Sequence, residues 1–306
     1  MAFCTQITDA ASPLILNHLL FLLILSVSLF SKVDISLSHT DIKNGTTFAV
    51  ILQSDKNLSQ APNVIYKNKT YQMFTIQGSI KKYRVFIPVD YYSKKQQENV
   101  QVVYKYNDEL IKKNIAIHIV DGKYKQNEII KVAKGKVILS NKNKTRSQKE
   151  YETVFKNVYS KITPYDLTLN SLFEAPMQSK ITSDFGNARI YNGKTKSYHT
   201  GTDYRAPIGT NIYASNNGVV ALTMKRFYLG NVVYIDHGRG AFSYYSHMDS
   251  FNVKQGQKVK KGDLIGKSGK TGRITGPHLH YALRLYNVTV DPLQYMEVYN
   301  QTLKFN

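Results

Sequence analysis

The chain has 306 residues, 42% hydrophobic and 12% aromatic, which suffices for two cores of ordinary size and excludes a wholly disordered polymer. Lys and Arg number 41 against 21 Asp and Glu, a formal net charge of +20, with +13 on residues 32–165 and +8 on residues 166–306, so the excess is not a basic tail. Only eight of the basic residues are Arg, which argues against base-specific nucleic-acid reading, and the one cysteine, Cys4, excludes an intrachain disulfide and a Cys-based zinc site.

Residues 14–30 (LILNHLLFLLILSVSLF) form an apolar run of the length of a signal-peptide h-region or a short membrane anchor. Ser26, Ser28 and Ser31 suit a cleavage site, although the segment before the run carries Asp9 and no Lys or Arg. Cys4 precedes the run, so it is not a lipoprotein cysteine. No second spanning stretch follows, so residues 1–31 are expected to be a signal peptide or anchor and the rest an exported, soluble protein. Any membrane contact is expected through that segment alone. A positive field of this size attracts polyanions such as nucleic acid, anionic lipid or an acidic wall polymer. AT-rich coding DNA would equally account for the abundance of Lys, Asn, Ile and Tyr.

Residues 46–52, 64–66, 71–76, 83–89, 100–106 and 115–120 are β-branched or aromatic and separated by Asn, Gly, Pro and Lys clusters. They predict a small immunoglobulin-like sandwich over residues 32–121. Its histidines, His39 and His118, have no carboxylate at ligand spacing. Residues 122–166 read as a Lys- and Asn-rich linker followed by a helix. Ser147 and Glu150 form a capping box there, and Tyr151, Val154, Phe155, Val158, Tyr159 and Ile162 recur at helical spacing before Pro164. That stripe is expected to pack against a neighbouring domain. From 167 to 306 short strands alternate with glycines, Gly256, Gly262, Gly266, Gly269, Gly272 and Gly276 among them, as in tight turns of an all-β domain. The fold class expected is mainly β: a sandwich, a connecting helix and a second β domain.

Five of the eight histidines lie between positions 199 and 280. They occur as His199-Thr-Gly-Thr-Asp203, Tyr245-Ser-His247 and His278-Leu-His280, with His237 at a strand end read as structural. An H-x-x-x-D pair with a distant H-x-H offers three ligands to Zn²⁺, and a catalytic zinc needs three protein ligands and an open position. On a strand i and i+2 share a face, so His278 and His280 can serve one site, one binding metal and the other handling protons.

These residues resemble the LytM/lysostaphin-type zinc metallopeptidases, the M23 group, which hydrolyse peptide bonds of bacterial peptidoglycan. The likeness runs from about Ala175 to Pro292. It includes Ile181-Thr-Ser-Asp-Phe-Gly186, His199-x-Gly-x-Asp203-Tyr-x-Ala-Pro207, Tyr245-Ser-His247-Met, Thr271-Gly272, Thr275-Gly-Pro-His-Leu-His-Tyr281 and Asp291-Pro292. The layout, a β-rich domain before the catalytic one, also resembles cell-shape-determining endopeptidases of helical Gram-negative bacteria. The resemblance implies His199, Asp203 and His280 as zinc ligands, and His247 and His278 as uncoordinated catalytic histidines; sequence does not divide the roles of the last two, and His278 is preferred as the base because it is tethered next to His280. It further implies a periplasmic enzyme acting on peptidoglycan crosslinks, D-alanyl–diaminopimelate ones rather than glycine bridges, alongside other wall-remodelling proteins.

Two patterns are set aside. Gly266-Lys-Ser-Gly-Lys-Thr271 does not satisfy G-x-x-x-x-G-K-[ST], so no nucleotide partner is expected, and Ser246, His247 and Asp249 lack a nucleophile elbow. The competing readings are a non-catalytic activator of another wall hydrolase, as in family members that have lost ligands, and a basic wall-binding protein. All five polar positions are present here, and no nucleic-acid partner is expected.

Overall fold

The computed structural model describes residues 32–304 apart from Gln77 and Lys194. The expected leader, residues 1–31, lies outside the described residues. Among the described residues no helix is long and apolar enough to cross a membrane.

Residues 33–120 form two facing sheets. Strands Thr47–Ser54 and Lys82–Pro88 pair antiparallel and are flanked by Val33–Leu37 and Phe74–Thr75. The other sheet is built on the hairpin of Gln96–Tyr106 with Glu109–Val120, extended by Asn63–Tyr66, Lys69–Gln72 and the parallel strand Asp41–Lys43. Asn107 and Asp108 make its tip with φ of +50° and +65°, the two-residue turn whose twist matches that of the strands. Alternation then sends Val100, Val102, Tyr104 and Tyr106 inward against Phe48, Val50, Leu52, Val85 and Ile87. Each such aliphatic or Phe side chain contributes about 1.5–3 kcal/mol of burial. The expected sandwich is present; His118 does meet a carboxylate, Asp41, at 3.2 Å, but on the exposed surface.

Two expectations for the connecting segment are corrected. Residues 122–140 are not a free tether, since Glu128–Ile130 runs parallel to Ala188–Tyr191, itself paired with Thr195–Tyr198. The helix is Asn141–Val154, capped by Ser140, whose Oγ accepts the Asn143 N–H at 3.3 Å. Ser147 is therefore inside the helix. The apolar stripe misled because the helix's first turns are polar and exposed, so the periodicity starts well after the helix does. Glu150 instead accepts from Arg146 Nε and from the Phe227 N–H, both at 2.7 Å. A π-helical turn, Phe155–Tyr159, continues the helix. Val154, Val158 and Tyr159 pack on Val232, Tyr234, Phe242 and Ala282 of the next sheet, as expected, while Tyr151, Phe155 and Ile162 stay exposed.

The remaining residues build a ten-stranded sheet whose central order is Ile181–Ser183, Thr202–Arg205, His278–Leu285, Ala241–Phe251, Gly230–Asp236, Gly218–Arg226, Lys258–Val259. Helix Pro292–Lys304 closes its core and also meets the first sandwich. Phe86 lies 5.5 and 5.4 Å from the rings of Tyr295 and Tyr299, and buried Arg84 donates to Thr302 Oγ1 at 2.8 Å. Gln294 exchanges two hydrogen bonds with the Thr47 backbone, at 2.9 and 2.7 Å.

His237 is structural, as expected. It is buried, with Nδ1 donating to the Asn217 carbonyl at 2.7 Å and Nε2 2.8 Å from Ser243 Oγ. Burial pushes its pKa down to about 4. The unfolded chain, with an ordinary His near 6.5, binds the proton more readily. This contribution to stability is thus complete above about pH 6.5 and is lost as pH falls toward 4, ~3 kcal/mol in all. Denaturant midpoints between pH 4.5 and 7 should fall less steeply in His237→Gln than in the parent; an equal slope means another group carries the acid sensitivity.

Candidate metal centre

The register of Thr202–Arg205 against His278–Leu285 sets Asp203 directly opposite His280 and Arg205 opposite His278. Opposed residues of an antiparallel pair share a face with Cβ atoms about 5 Å apart, so Asp203 and His280 meet without any loop to aim them. His199 joins them through the turn before the strand. A Cβ on Gly201 would lie 2.4 Å from the Tyr281 carbonyl oxygen and 2.8 Å from His280 Cε1, so only glycine lets this turn close.

The resulting cluster is buried and tight. His199 Nε2 is 2.9 Å from Asp203 Oδ1 and 3.0 Å from His280 Nδ1, and His280 Nδ1 is 2.9 Å from Asp203 Oδ1. The Asp184 carbonyl, 2.7 Å from His199 Nδ1, fixes the ring proton there and leaves a lone pair on Nε2. That lone pair faces a carboxylate oxygen, which has no proton to give. Two acceptors this close call for a cation between them, and two imidazole nitrogens with one carboxylate oxygen are a zinc donor set. Binding through Nδ1 places the His280 proton on Nε2, which is buried with no hydrogen-bond partner.

The charge states agree. Asp203 is held well below the ordinary carboxylate range although burial by itself would raise it, so it stands as an anion. Burial pushes His280 down to about 4 despite Asp203, keeping it a neutral ligand.

His247 and His278 sit next to the cluster, their rings 4.8 Å apart. His278 Nδ1 donates to the Gly276 carbonyl at 2.8 Å, and its Nε2 stands 3.6 Å from Asp203 Oδ1. His247 Nδ1 donates to the Thr271 carbonyl at 2.8 Å. Ser246 is opposite His280, so a regular strand would turn the next residue to the other face. His247 instead adopts φ of +62° within an irregular stretch of the strand, and that left-handed residue brings its ring to the site. Burial, then the neighbouring His278 and His280, push its pKa down to about 3, so the free ring is neutral.

Sequence reasoning missed the support of Asp203. Arg189 donates from Nη2 to Asp203 Oδ2 at 2.9 Å and to Ser183 Oγ at 2.8 Å, and from Nε to Glu128 Oε2 at 2.8 Å. A residue of the supposed linker thereby helps to neutralise the guanidinium beside Asp203. No local pattern announces it, since Glu128 and Arg189 are 61 positions apart. Ile130 and Val132 also line the groove, with Tyr191, Tyr198, Tyr228 and Arg273. Neither rejected pattern forms a site. Ser246 Oγ is buried without a hydrogen-bond partner, and residues 266–271 run from strand into turn with no helix following.

Comparison with known proteins bears on the same region. Residues 197–292 match the model of Peptidase family M23. The peptidoglycan DD-endopeptidase ShyA of Vibrio cholerae serotype O1 is 46% identical over 126 residues, 39% of this chain and 29% of that protein. The DD-carboxypeptidase/endopeptidase Mpg of Neisseria meningitidis serogroup B is 40% identical over 120 residues, 39% of this chain and 28% of that protein. The chain thus spans less than a third of these relatives' length. A solved structure described as a peptidase M23 from Pseudomonas aeruginosa shares the fold over 82% of this chain and 93% of its own, at 22% identity and a TM-score of 0.60. The M23 peptidases are zinc metallopeptidases, which agrees with the donor set of the cluster. The whole of the His199–Asp203–His280 cluster lies within the stretch that matches peptidase family M23.

Proposed function

We propose that the chain is a zinc-dependent endopeptidase of peptidoglycan crosslinks, with His199, Asp203 and His280 as metal ligands and His247 and His278 as catalytic histidines. The observation that carries this reading is the pair of ring nitrogens, one on each catalytic histidine, left free beside a complete three-ligand cluster. The names of ShyA and Mpg support the substrate class. D-alanyl–diaminopimelate crosslinks are the proposed bond, the periplasm the proposed compartment and wall remodelling with control of cell shape the proposed role. The proposed division is a leader at 1–31, a β-rich domain at 32–121, a linker and helix at 122–166 and the peptidase domain at 167–306. A non-catalytic activator is disfavoured because no ligand position is lost.

Zinc, when bound, lowers the pKa of water toward ~7 and polarises the scissile carbonyl. The chain's own residues do the rest. His278, its Nδ1–H fixed by the Gly276 carbonyl, offers the Nε2 lone pair to a proton from the attacking water and is the general base. His247 is oriented likewise by the Thr271 carbonyl. Neutral at the start, it becomes a donor to the oxyanion only when its free Nε2 receives a proton from solvent or one relayed from His278, a proton it can then pass to the leaving amine. Arg189 holds Asp203 Oδ2 and so keeps Oδ1 turned toward His199 and His280, where it would serve as a metal ligand.

The roles separate by metal content. His199→Ala, Asp203→Ala and His280→Ala each remove one of three ligands, so zinc and activity should be lost together. His247→Ala and His278→Ala should keep near-stoichiometric zinc after dialysis while crosslink hydrolysis drops about 10²–10⁴-fold. Zinc retained by the His280 variant but lost by the His278 variant would reverse the assignment of the pair; full activity in all five would sink the peptidase reading.

Glu128→Gln removes one of the two carboxylates that hold Arg189 and leaves its positive charge on Asp203 alone. Zinc affinity is expected to weaken roughly 10–100-fold, with the thermal midpoint of the chelated protein nearly unchanged. Competition with a chromogenic chelator measures this, and unaltered affinity would make the Glu128–Arg189 pair a purely structural contact.

A further inference from the structure

The groove beside the metal centre carries one cation that neither the fold nor the metal cluster employs. Arg273 is half-buried, and its guanidinium carbon lies 4.0 Å from the ring centre of Tyr191 and 4.4 Å from that of Tyr228. Its backbone N–H donates to the Tyr228 carbonyl at 2.8 Å, yet among the described residues its guanidinium makes no hydrogen bond and no ion pair. The nearby carboxylate of Glu150 is already taken by Arg146 and the Phe227 N–H, and the neighbouring Lys136 adds a second positive charge. The two tyrosines thus hold the planar head in one orientation by cation–π contact and leave its N–H edges open to the groove.

The backbone that carries Arg273 is equally fixed. Thr271 accepts the Nδ1–H of His247 on its carbonyl, while its hydroxyl donates to the Met248 carbonyl and accepts from the Asn231 N–H. Gly272, at φ of +90°, is packed so closely that a Cβ would stand 2.5 Å from Gly230 N and the Tyr228 carbonyl oxygen. The cation is therefore set at a constant position two residues from the peptide group that orients a catalytic histidine.

We propose that Arg273 is the subsite for a substrate carboxylate adjoining the scissile bond, the one borne by the residue that supplies the leaving amine. This inference rests on the peptidase reading given above. In a D,D-peptide bond the carbon attached to the scissile nitrogen also bears a carboxyl group, whether the bond is a terminal D-alanyl-D-alanine or a crosslink to diaminopimelate. Such a carboxylate fits the free fork of an Arg in two parallel, charge-assisted hydrogen bonds. Engaging it would fix the leaving amine next to the histidines and exclude bonds whose carboxylate is amidated or further extended.

The test uses the zinc-loaded full chain with a diacetyl-lysyl-D-alanyl-D-alanine peptide and its C-terminal carboxamide. Binding is read by calorimetry in the cold and hydrolysis by chromatography. The parent protein is expected to favour the acid over the amide by about tenfold or more in Kd and kcat/KM. Arg273→Gln should abolish that preference with the amide handled as before, and Arg273→Lys should recover part of it. A parent protein that treats both peptides alike overturns the proposal, as does an Arg273→Gln variant that loses both substrates equally, the mark of a structural stack. Failure to hydrolyse either peptide or a crosslinked muropeptide would instead sink the peptidase reading, while the acid preference in binding would still decide the subsite.

Discussion

Two lone pairs pointing at each other across 2.9 Å, one on His199 Nε2 and one on Asp203 Oδ1, are the constraint around which the C-terminal half is organised. Left alone, such an arrangement is repulsive, and it persists only because each group is held from behind. The Asp184 carbonyl fixes the His199 tautomer, and Arg189 holds the other oxygen of Asp203. The sheet register fixes the third donor on His280. A cation placed among the three donors removes the repulsion, and the supports behind each donor keep them converged on one point. The buried, unpartnered Nε2 of His280 is a polar cost accepted at the same place.

His247 and His278, the histidines proposed as catalytic, extend the same logic outward. Each has one ring nitrogen tied to a backbone carbonyl, so that the free one is defined in both position and protonation. For His278 the regular strand suffices. For His247 the strand has to break its own alternation, and the left-handed backbone there is local strain located where the chemistry needs a side chain re-aimed. The turn that accepts its proton continues into Arg273, which ties the orientation of the histidine to that of the cation in the groove.

The β-rich region before the peptidase domain is more than an attached module. Phe86 enters the aromatic cluster of Tyr295 and Tyr299, and Arg84 is buried against the closing helix. Tyr91 stacks on Tyr198 with ring centres 3.8 Å apart, at the rim of the groove. The segment that follows delivers Glu128 to Arg189, the residue that holds Asp203. The large positive charge of the chain is thus not mirrored in the centre, where Asp203 and Glu128 offset Arg189 and leave room for a dication.

What the sequence determined by itself was everything carried by short spacing. The H-x-x-x-D and H-x-H patterns are local, and strand periodicity alone predicts that the two histidines of the second share a face. The same holds for the alternating strands of the first sandwich, whose inward residues are the apolar ones in a two-residue rhythm. Tertiary structure decided whatever depends on partners far apart in the chain. One local feature escaped as well: Ser140 rather than Ser147 caps the helix, and an exposed polar turn has no apolar rhythm to reveal it. Glu128 and Arg189 look like ordinary surface charges until a three-residue parallel strand brings them together. Arg273 is one basic residue among 41 until two tyrosines, 82 and 45 positions earlier, close on its faces. Spacing fixes which side chains can share a face, but which charges are left unpaired is a property of the packed whole.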